Sequence, residues 1–254
     1  MHSSFHTHRY QPDRLATDEY LLDMKQGDVT GDGIPDQIYL IGHKPDGPSG
    51  IFADHITLVI QDGYSQQRTV VPLQNNAGYN AVLLLGDFDK NQIPDILISI
   101  DSGGSGGYGI FYIYSFAHHA LHKLFDSDSY NQQYKFRVQY EDMYKVSVSS
   151  AQLDLLFIID ISSKGAAYLA TYYNENGTLK QPLQGEVLAI AALNPIITAE
   201  NRASFDLQAL QRIIGPTNAD TLGYVENLLT WNGNRFDSSR LNVAIIGTPL
   251  QSHF

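Results

Sequence analysis

The chain contains many short segments in which apolar and polar residues alternate, and this alternation is typical of half-buried β-strands. Few segments show the apolar spacing of a helix. Two Asn-Gly pairs, Asn176-Gly177 and Asn232-Gly233, separate β-rich runs and suit hairpin turns that need positive φ. We therefore predict an all-β fold, with strands at Ile56–Ile60, Thr69–Val71, Gly109–Phe116, Lys145–Val148 and Tyr168–Tyr172.

Comparison of the chain with itself shows an internal repeat. The segment from Gly27 to Asp36 matches the segment from Gly86 to Asp95 at an offset of 59 residues, and both end in Ile-Pro-Asp. A weaker third copy places Asp206 at the final Asp position. Its loop positions one, three and five are Thr198, Glu200 and Arg202, so we expect its metal to be lost and Arg202 to substitute for the cation.

The spacing of these copies predicts about four repeat units, with a further unit near Glu141 to Ser149. Units of this length, each a small antiparallel sheet, pack around an axis in a β-propeller. We predict a β-propeller-like array of about four four-stranded antiparallel blades. It forms a single domain over residues 20–254, and residues 1–19 are an N-terminal extension that is either tag-derived or ring-closing.

The two strong copies carry oxygen-bearing side chains at alternate positions of a tight loop. A calcium ion is held by about six to eight oxygen atoms at about 2.3–2.6 Å, and alternate loop positions converge on one point. We define loop one as Asp28–Asp36 and loop two as Asp87–Asp95. The predicted calcium ligands are Asp28, Thr30, Asp32, Asp36 and the Ile34 carbonyl in loop one, and Asp87, Asp89, Asn91, Asp95 and the Ile93 carbonyl in loop two.

The two loops differ at position six. Gly33 can take the positive φ that reverses loop one, whereas loop two has Gln92 there, so its backbone is strained, differently shaped or rescued by Asn91. Neither loop is an EF-hand, because position twelve is Tyr39 or Ile98 and not the required Glu. The alternative that both loops are Asp/Gly surface turns without metal stays open.

Composition narrows the function classes. The formal net charge of −11 disfavours nucleic acid and anionic membranes as partners and favours cations. The absence of cysteine excludes disulfides and thiolate metal sites, and no apolar run is long enough to span a bilayer, so we expect no membrane insertion. The high content of Tyr, Phe, Gly and Pro agrees with strands joined by tight turns.

The loops and the strands that follow them, Gly27–Leu40 and Gly86–Ile100, resemble the FG-GAP or VCBS type of repeat found in integrin α-subunit propellers and many bacterial surface proteins. The resemblance implies a calcium-stabilised propeller that is displayed outside the cytoplasm and binds other molecules. External calcium is millimolar, and such loops fill there if their affinity is about 10⁻⁴ to 10⁻³ M. We therefore expect an extracellular or cell-envelope location.

Other motifs carry less weight. The glycine-rich stretch Asp101–Gly109 contains both GxGxxG and GxSxG patterns, but a strand and not a helix is predicted after it, so a flexible rim loop is favoured over nucleotide binding or a serine nucleophile. His118 and His122 would share a helical face and bind zinc, yet the flanking residues favour a hairpin.

Asn176-Gly177-Thr178 fits a glycosylation acceptor and a hairpin turn, and we favour the turn. Trp231 stacks on sugars or packs in the core, and we favour the core.

Two function classes follow from these observations. The first is a non-catalytic, calcium-stabilised extracytoplasmic module that binds a protein or glycan ligand. The second is a glycan-processing or other hydrolytic enzyme with an acidic central pocket, which paired carboxylates would favour. A bare structural role, such as a coat or matrix component, is hard to separate from the first class.

Overall fold

The computed structural model describes residues 19–104, 106–198 and 201–247, with the backbone alone for 201–203, and its regular structure is dominated by strands. These residues include two short helices, α1 (Ser127–Gln133) and α2 (Ala166–Tyr172), together with 3₁₀ turns at Ala117–His119 and Ser162–Lys164. The all-β prediction is confirmed. The strands are β1 (Glu19–Gly27), β2 (Asp36–His43), β3 (Phe52–Gln61), β4 (Arg68–Pro72), β5 (Gly78–Gly86), β6 (Asp95–Asp101), β7 (Gly109–Ser115), β8 (His122–Asp126), β9 (Arg137–Glu141), β10 (Lys145–Ser150), β11 (Leu155–Asp160), β12 (Gln184–Thr198), β13 (Asn201–Ile214), β14 (Thr221–Trp231) and β15 (Phe236–Ile245).

The strands form two antiparallel sheets. The eight-stranded sheet has the order β1-β2-β3-β5-β6-β7-β8 with β4 paired to β3, and the seven-stranded sheet has the order β11-β10-β9-β12-β13-β14-β15. Within them the chain runs in meanders, β1–β4, β5–β8, β9–β11 and β12–β15. Short pairings between β3 and β5 and between β9 and β12 join these meanders into the two sheets. The propeller and its number of blades stay a prediction.

Each sheet has its own apolar core, and a third core lies where the sheets meet. In the first sheet, β2 and β6 are buried over most of their length because apolar residues follow one another along them, as in Ile38 and Ile98. At the junction, Phe88 and Leu97 of the first sheet belong to the same buried cluster as Leu207 of the second. The position of loop two is therefore fixed from both sides, because Phe88 lies within it.

The local predictions have mixed outcomes. Gly109–Phe116 corresponds to β7, and Asn232-Gly233 connects β14 to β15 with Gly233 at φ +98°. The strand predicted at Tyr168–Tyr172 is wrong, because this segment is the C-terminal part of α2. Gly165, at φ +89°, starts the turn, and the Tyr168 and Tyr172 rings then contact each other one helical turn apart. No helix among the described residues is long and apolar enough to cross a membrane.

Candidate metal site in the second aspartate loop

The two aspartate loops occupy equivalent places in the first sheet. Loop one connects β1 to β2, and loop two connects β5 to β6. In each, the residue before the loop pairs with its last Asp, since Gly27 faces Asp36 and Gly86 faces Asp95. The sequence repeat is thus a repeated hairpin connection.

The backbone of the two loops is also equivalent. Positions four and six are left-handed in both, at φ +77° and +87° for Gly31 and Gly33 and at φ +66° and +72° for Lys90 and Gln92. The backbone of loop two is therefore strained and not differently shaped, because Gln92 adopts the left-handed conformation that glycine adopts in loop one. Asn91 supports it with its side-chain oxygen, which accepts the Ile93 N–H at 2.7 Å.

The carboxylate of Asp28 is occupied by its own loop. It accepts the N–H groups of Gly31, Asp32 and Gly33 at 2.7–3.1 Å. The hydroxyl of Thr30, a buried residue, donates to the same carboxylate at 3.3 Å. These are the local turn bonds that Asp residues form readily without any metal.

Asp36, at position nine of loop one, has both oxygens satisfied. Its Oδ2 accepts the N–H groups of Val29 and Thr30 at 2.9 and 3.0 Å, and its Oδ1 accepts the Gly63 N–H at 2.8 Å. Asp36 is fully buried. The carboxylates of loop one do not form a three-carboxylate group of the kind found in loop two.

The last side chain of loop two is different. Asp95 Oδ2 accepts the N–H groups of Phe88 and Asp89 at 2.9 and 3.1 Å, as in loop one, but Oδ1 has no hydrogen-bond partner among the described residues. Asp95 is fully buried, so this oxygen is not satisfied by bulk water. One carboxylate oxygen each from Asp87, Asp89 and Asp95 lies within 4.8 Å of the others.

The electrostatics of loop two follow from this crowding. Burial raises the pKa of Asp95 to about 7, and the charge of Asp89 adds to the rise, while the buried Ser115 hydroxyl partly offsets it without reaching hydrogen-bond geometry. Burial also raises the pKa of Asp89, with repulsion from Asp87 as a further cause. A cation placed among the three carboxylates would stabilise the charged forms of Asp89 and Asp95, whose pKa values are raised.

The remaining predicted ligands lie close by in both loops. Asp32 accepts the Ile34 N–H at 2.7 Å and is exposed, and Asn91 donates its amide N–H to Asp89 at 3.0 Å. The Ile34 and Ile93 carbonyls remain predicted ligands. The oxygen donors of loop two fit a hard cation such as calcium, which takes carboxylates, amide and main-chain carbonyls and water.

The third copy is not a nine-residue loop, because β12 ends at Thr198 and Asp206 already lies within β13, but it holds an ion pair. Thr198 donates its hydroxyl to Asp206 Oδ2 at 2.9 Å, and Lys90 of loop two reaches Asp206 Oδ1 at 3.0 Å. Asp206 therefore has a cationic partner that comes from the neighbouring loop, a contact between the two sheets that the sequence did not reveal. Glu200 and the side chain of Arg202 lie outside the described residues.

Among the described residues, which leave out Ser105 of the glycine-rich stretch, the other motifs have no metal or nucleotide geometry. His118 lies in a 3₁₀ turn at φ +54° and His122 begins β8, so the two do not share a helical face. Asp101–Gly109 is followed by β7 and not by a helix. Trp231 packs against Phe236 with ring centroids 5.1 Å apart and belongs to the junction core.

Sequence reasoning missed the residues that decide the difference between the loops. Gly63 lies two residues after the end of β3, and Phe116 directly follows β7 at the corresponding place beside loop two; neither belongs to a recognisable motif. Gly63 is required where it is, because a Cβ there would collide with the Pro35 carbonyl oxygen and lie 2.9 Å from Ile34. A lone glycine at the end of a predicted strand was the available signal.

The fold and the loops define an all-β protein with two antiparallel sheets and a loop in which three carboxylates lie close together. The family model of the YybI C-terminal domain matches residues 134–244, which corresponds closely to the seven-stranded sheet. The protein named "Uncharacterized protein YybI" of Bacillus subtilis (strain 168) is 41% identical over 225 residues, covering 89% of this chain and 85% of that protein. The chain belongs to the YybI family.

The resemblance to FG-GAP or VCBS repeats is therefore wrong as a family assignment. No model of those repeats matches, and the matching family model covers the sheet that contains neither loop one nor loop two. The physical reason is that a nine-residue turn of Asp, Gly and Pro arises from local carboxylate-to-backbone bonding, which unrelated folds can share. The prediction of a calcium site therefore rests on the geometry of loop two alone.

Proposed function

We propose that this protein is a non-catalytic binding module in which loop two holds one calcium ion. The observation that carries the proposal is the buried Asp95 Oδ1, which has no hydrogen-bond partner among the described residues and belongs to a carboxylate that converges with Asp87 and Asp89. A buried carboxylate oxygen without a partner costs free energy unless a cation or proton satisfies it. Loop one is proposed to be a metal-free turn, because Asp36 already has three N–H donors.

The proposed ion stabilises the contact between the two sheets. Loop two packs against the second sheet through the Phe205 N–H, which donates to the Asp87 carbonyl at 2.8 Å, and through Lys90 and Asp206. An ion that fixes Asp87 and Asp89 therefore also fixes residues that bridge the sheets. Open loops of this kind fill at millimolar calcium, which supports a working location outside the cytoplasm, at the cell envelope or beyond.

The ligand we propose is a glycan, bound in a cleft of 670 Å³ between β7, α1, β12 and the connections from β4 to β5 and from β6 to β7. Side-chain amides line it, and these suit sugar hydroxyls because each amide both donates and accepts. Tyr108, at 45% exposure, offers an aromatic face for stacking. The polar lining residues are Gln74, Asn75, Asn76, Ser102, Ser127, Asp128, Asn131 and Glu186.

The same cleft favours one alternative function. Asp128 and Glu186 place two carboxylates in it, the feature expected of a glycan-processing hydrolase. The Asp128 carboxylate already accepts the Asn75 amide N–H at 2.6 Å, so one of its oxygens is engaged by a neighbouring side chain of the cleft. Binding without turnover is therefore the function we propose, and release of reducing ends from a bound oligosaccharide would show the alternative.

The calcium part of the proposal is tested by thermal unfolding of the wild type, Asp89→Asn and the matched loop-one variant Asp32→Asn, each with calcium and with chelator. Calcium should raise the Tm of the wild type and of Asp32→Asn, with a gain of about 2.7 kcal/mol when calcium is at a hundred times its Kd. Asp89→Asn should lose most of that gain. An unchanged wild-type Tm, or an equal rise in Asp89→Asn, would overturn the calcium proposal.

The glycan part is tested on an oligosaccharide array with the wild type, Tyr108→Ala and Tyr64→Ala. Tyr64 is a matched control because it is an exposed tyrosine, at 78% exposure, on the turn after β3 and outside the cleft. We expect the Tyr108 variant alone to lose binding. Equal binding by both variants would exclude the cleft as the glycan site.

A further inference from the structure

The hairpin formed by β2 and β3 brings two histidines to one carboxylate. They lie at the end of β2 that is opposite loop one. His43 ends β2, and Asp54 and His55 lie near the start of β3. Asp54 Oδ1 lies 2.7 Å from His43 Nδ1 and 2.8 Å from His55 Nδ1. One potential ligand atom from each of the three residues lies within 4.8 Å of the others.

A β-bulge makes this convergence possible. Neighbouring residues of a regular strand point to opposite faces, so Asp54 and His55 would normally diverge. Here the pairing shifts from Ile41 with Thr57 to His43 with Asp54, and His55 takes φ +52° in the extra position. Bulges of this type redirect side chains and are common beside functional sites.

The surrounding backbone fixes the bulge in place. The Ile56 N–H donates to the Asn76 carbonyl at 2.9 Å, so β3 is held by the neighbouring segment directly after the bulge. Gly42 allows the close approach of β2, because a Cβ there would lie 3.1 Å from the Asp54 carbonyl oxygen. The three side chains are therefore placed by main-chain contacts and not by their own hydrogen bonds alone.

The donor set differs in kind from that of loop two. Two imidazole nitrogens and one carboxylate oxygen suit divalent transition ions, whereas the carboxylates of loop two suit hard cations. The His55 side chain is 82% exposed, and the His43 and Asp54 side chains are 36% and 29% exposed, so an ion can reach all three. Three protein ligands at an open surface leave a coordination position for water or a further ligand.

We propose that His43, Asp54 and His55 form a binding site for one divalent transition-metal ion of the zinc class. The ion would lie between the two Nδ1 atoms and Asp54 Oδ1, and each neutral imidazole would then carry its proton on Nε2. The site is independent of the calcium ion proposed for loop two, since the two lie at different hairpins and use different donor atoms.

The test is calorimetric titration of the full chain with zinc. Every protein carries His2→Ala, His6→Ala and His8→Ala, so that the terminal histidines do not compete. The variants are His43→Gln and His55→Asn, the latter because Asn tolerates a left-handed backbone, and the matched control is His122→Asn at an exposed histidine of β8. Circular dichroism confirms the fold of each.

We expect one zinc ion per chain in the background protein and in His122→Asn. Each site variant should bind zinc about tenfold more weakly or worse, because loss of a residue that only hydrogen-bonds to a metal ligand already lowers metal affinity about tenfold. Pulsed paramagnetic resonance with copper(II) should show two imidazole nitrogens in the background protein and one in either site variant. No zinc binding to the background protein, or equal affinity in all variants, would overturn the proposal and leave a hydrogen-bonded triad.

Discussion

Loop one and loop two share their length, their hairpin position and their left-handed backbone at positions four and six, yet their last carboxylates have opposite surroundings. Asp36 has three N–H donors for its two oxygens. Asp95 has two donors on one oxygen and no partner among the described residues on the other. The comparison teaches that the motif fixes the shape of the turn but not whether its carboxylate is free to bind a cation.

The difference comes from the third strand of each meander. Gln61 pairs with Gln37 and Tyr114 with Ile96, so Gly63 and Phe116 occupy corresponding places. Gly63 approaches loop one closely enough to donate its N–H to Asp36, whereas Phe116 packs into the first core. A residue distant in sequence therefore decides the chemistry of the loop.

The largest expected effect belongs to Asp36→Ala. It leaves buried N–H donors of loop one without an acceptor, at about 1–3 kcal/mol each, so we expect a loss of about 3 kcal/mol or more in the free energy of unfolding. Asp32→Ala, which removes one exposed bond to Ile34, should cost about 1 kcal/mol or less. Urea unfolding measures both, and equal losses would contradict the structural role of Asp36.

An effect of comparable size and opposite sign is expected for Asp95→Asn when chelator is present. The pKa of Asp95 is about 7 in the folded protein against an ordinary 3.8, so ionising it costs stability. That cost is absent below about pH 4, grows as the pH rises from about 4 to about 7, and is complete above about pH 7. The Asn variant keeps the shape without the charge, so its advantage should reach a few kcal/mol at pH 8 and vanish at pH 4.

Urea unfolding of wild type and Asp95→Asn across this pH range measures the difference. Calcium should reverse the order at pH 8, because only the wild type gains from the ion. A stability difference that does not change with pH would show that Asp95 does not carry a buried charge.

The smallest effect is expected from exchanging position six. Gln92→Gly should relieve the left-handed backbone and stabilise the protein by about 0.5–1 kcal/mol, while Gly33→Gln should destabilise it by about 1 kcal/mol. A Cβ at Gly33 meets no atom within 4 Å, so strain and not collision is measured. Changes of the same sign in thermal unfolding would show that the two loop backbones are not equivalent.

The sequence predicted what depends on neighbouring residues. Alternation predicted β3, β4, β7 and β10, and the Asp, Gly and Pro positions predicted both turns, because these features follow from local backbone chemistry. It failed at Tyr168–Tyr172, where a short apolar run fits either a strand or a helix. It also could not give the Gly63 contact with Asp36, the Lys90 pair with Asp206 or the bulge at His55, because each depends on segments brought together by folding.

The most direct test of the central claim is the anomalous difference map of crystals soaked in calcium. The free Oδ1 of Asp95 predicts a calcium peak among Asp87, Asp89 and Asp95 and no peak among Asp28, Asp32 and Asp36. A peak in loop one alone, or no peak in either loop, would contradict the account.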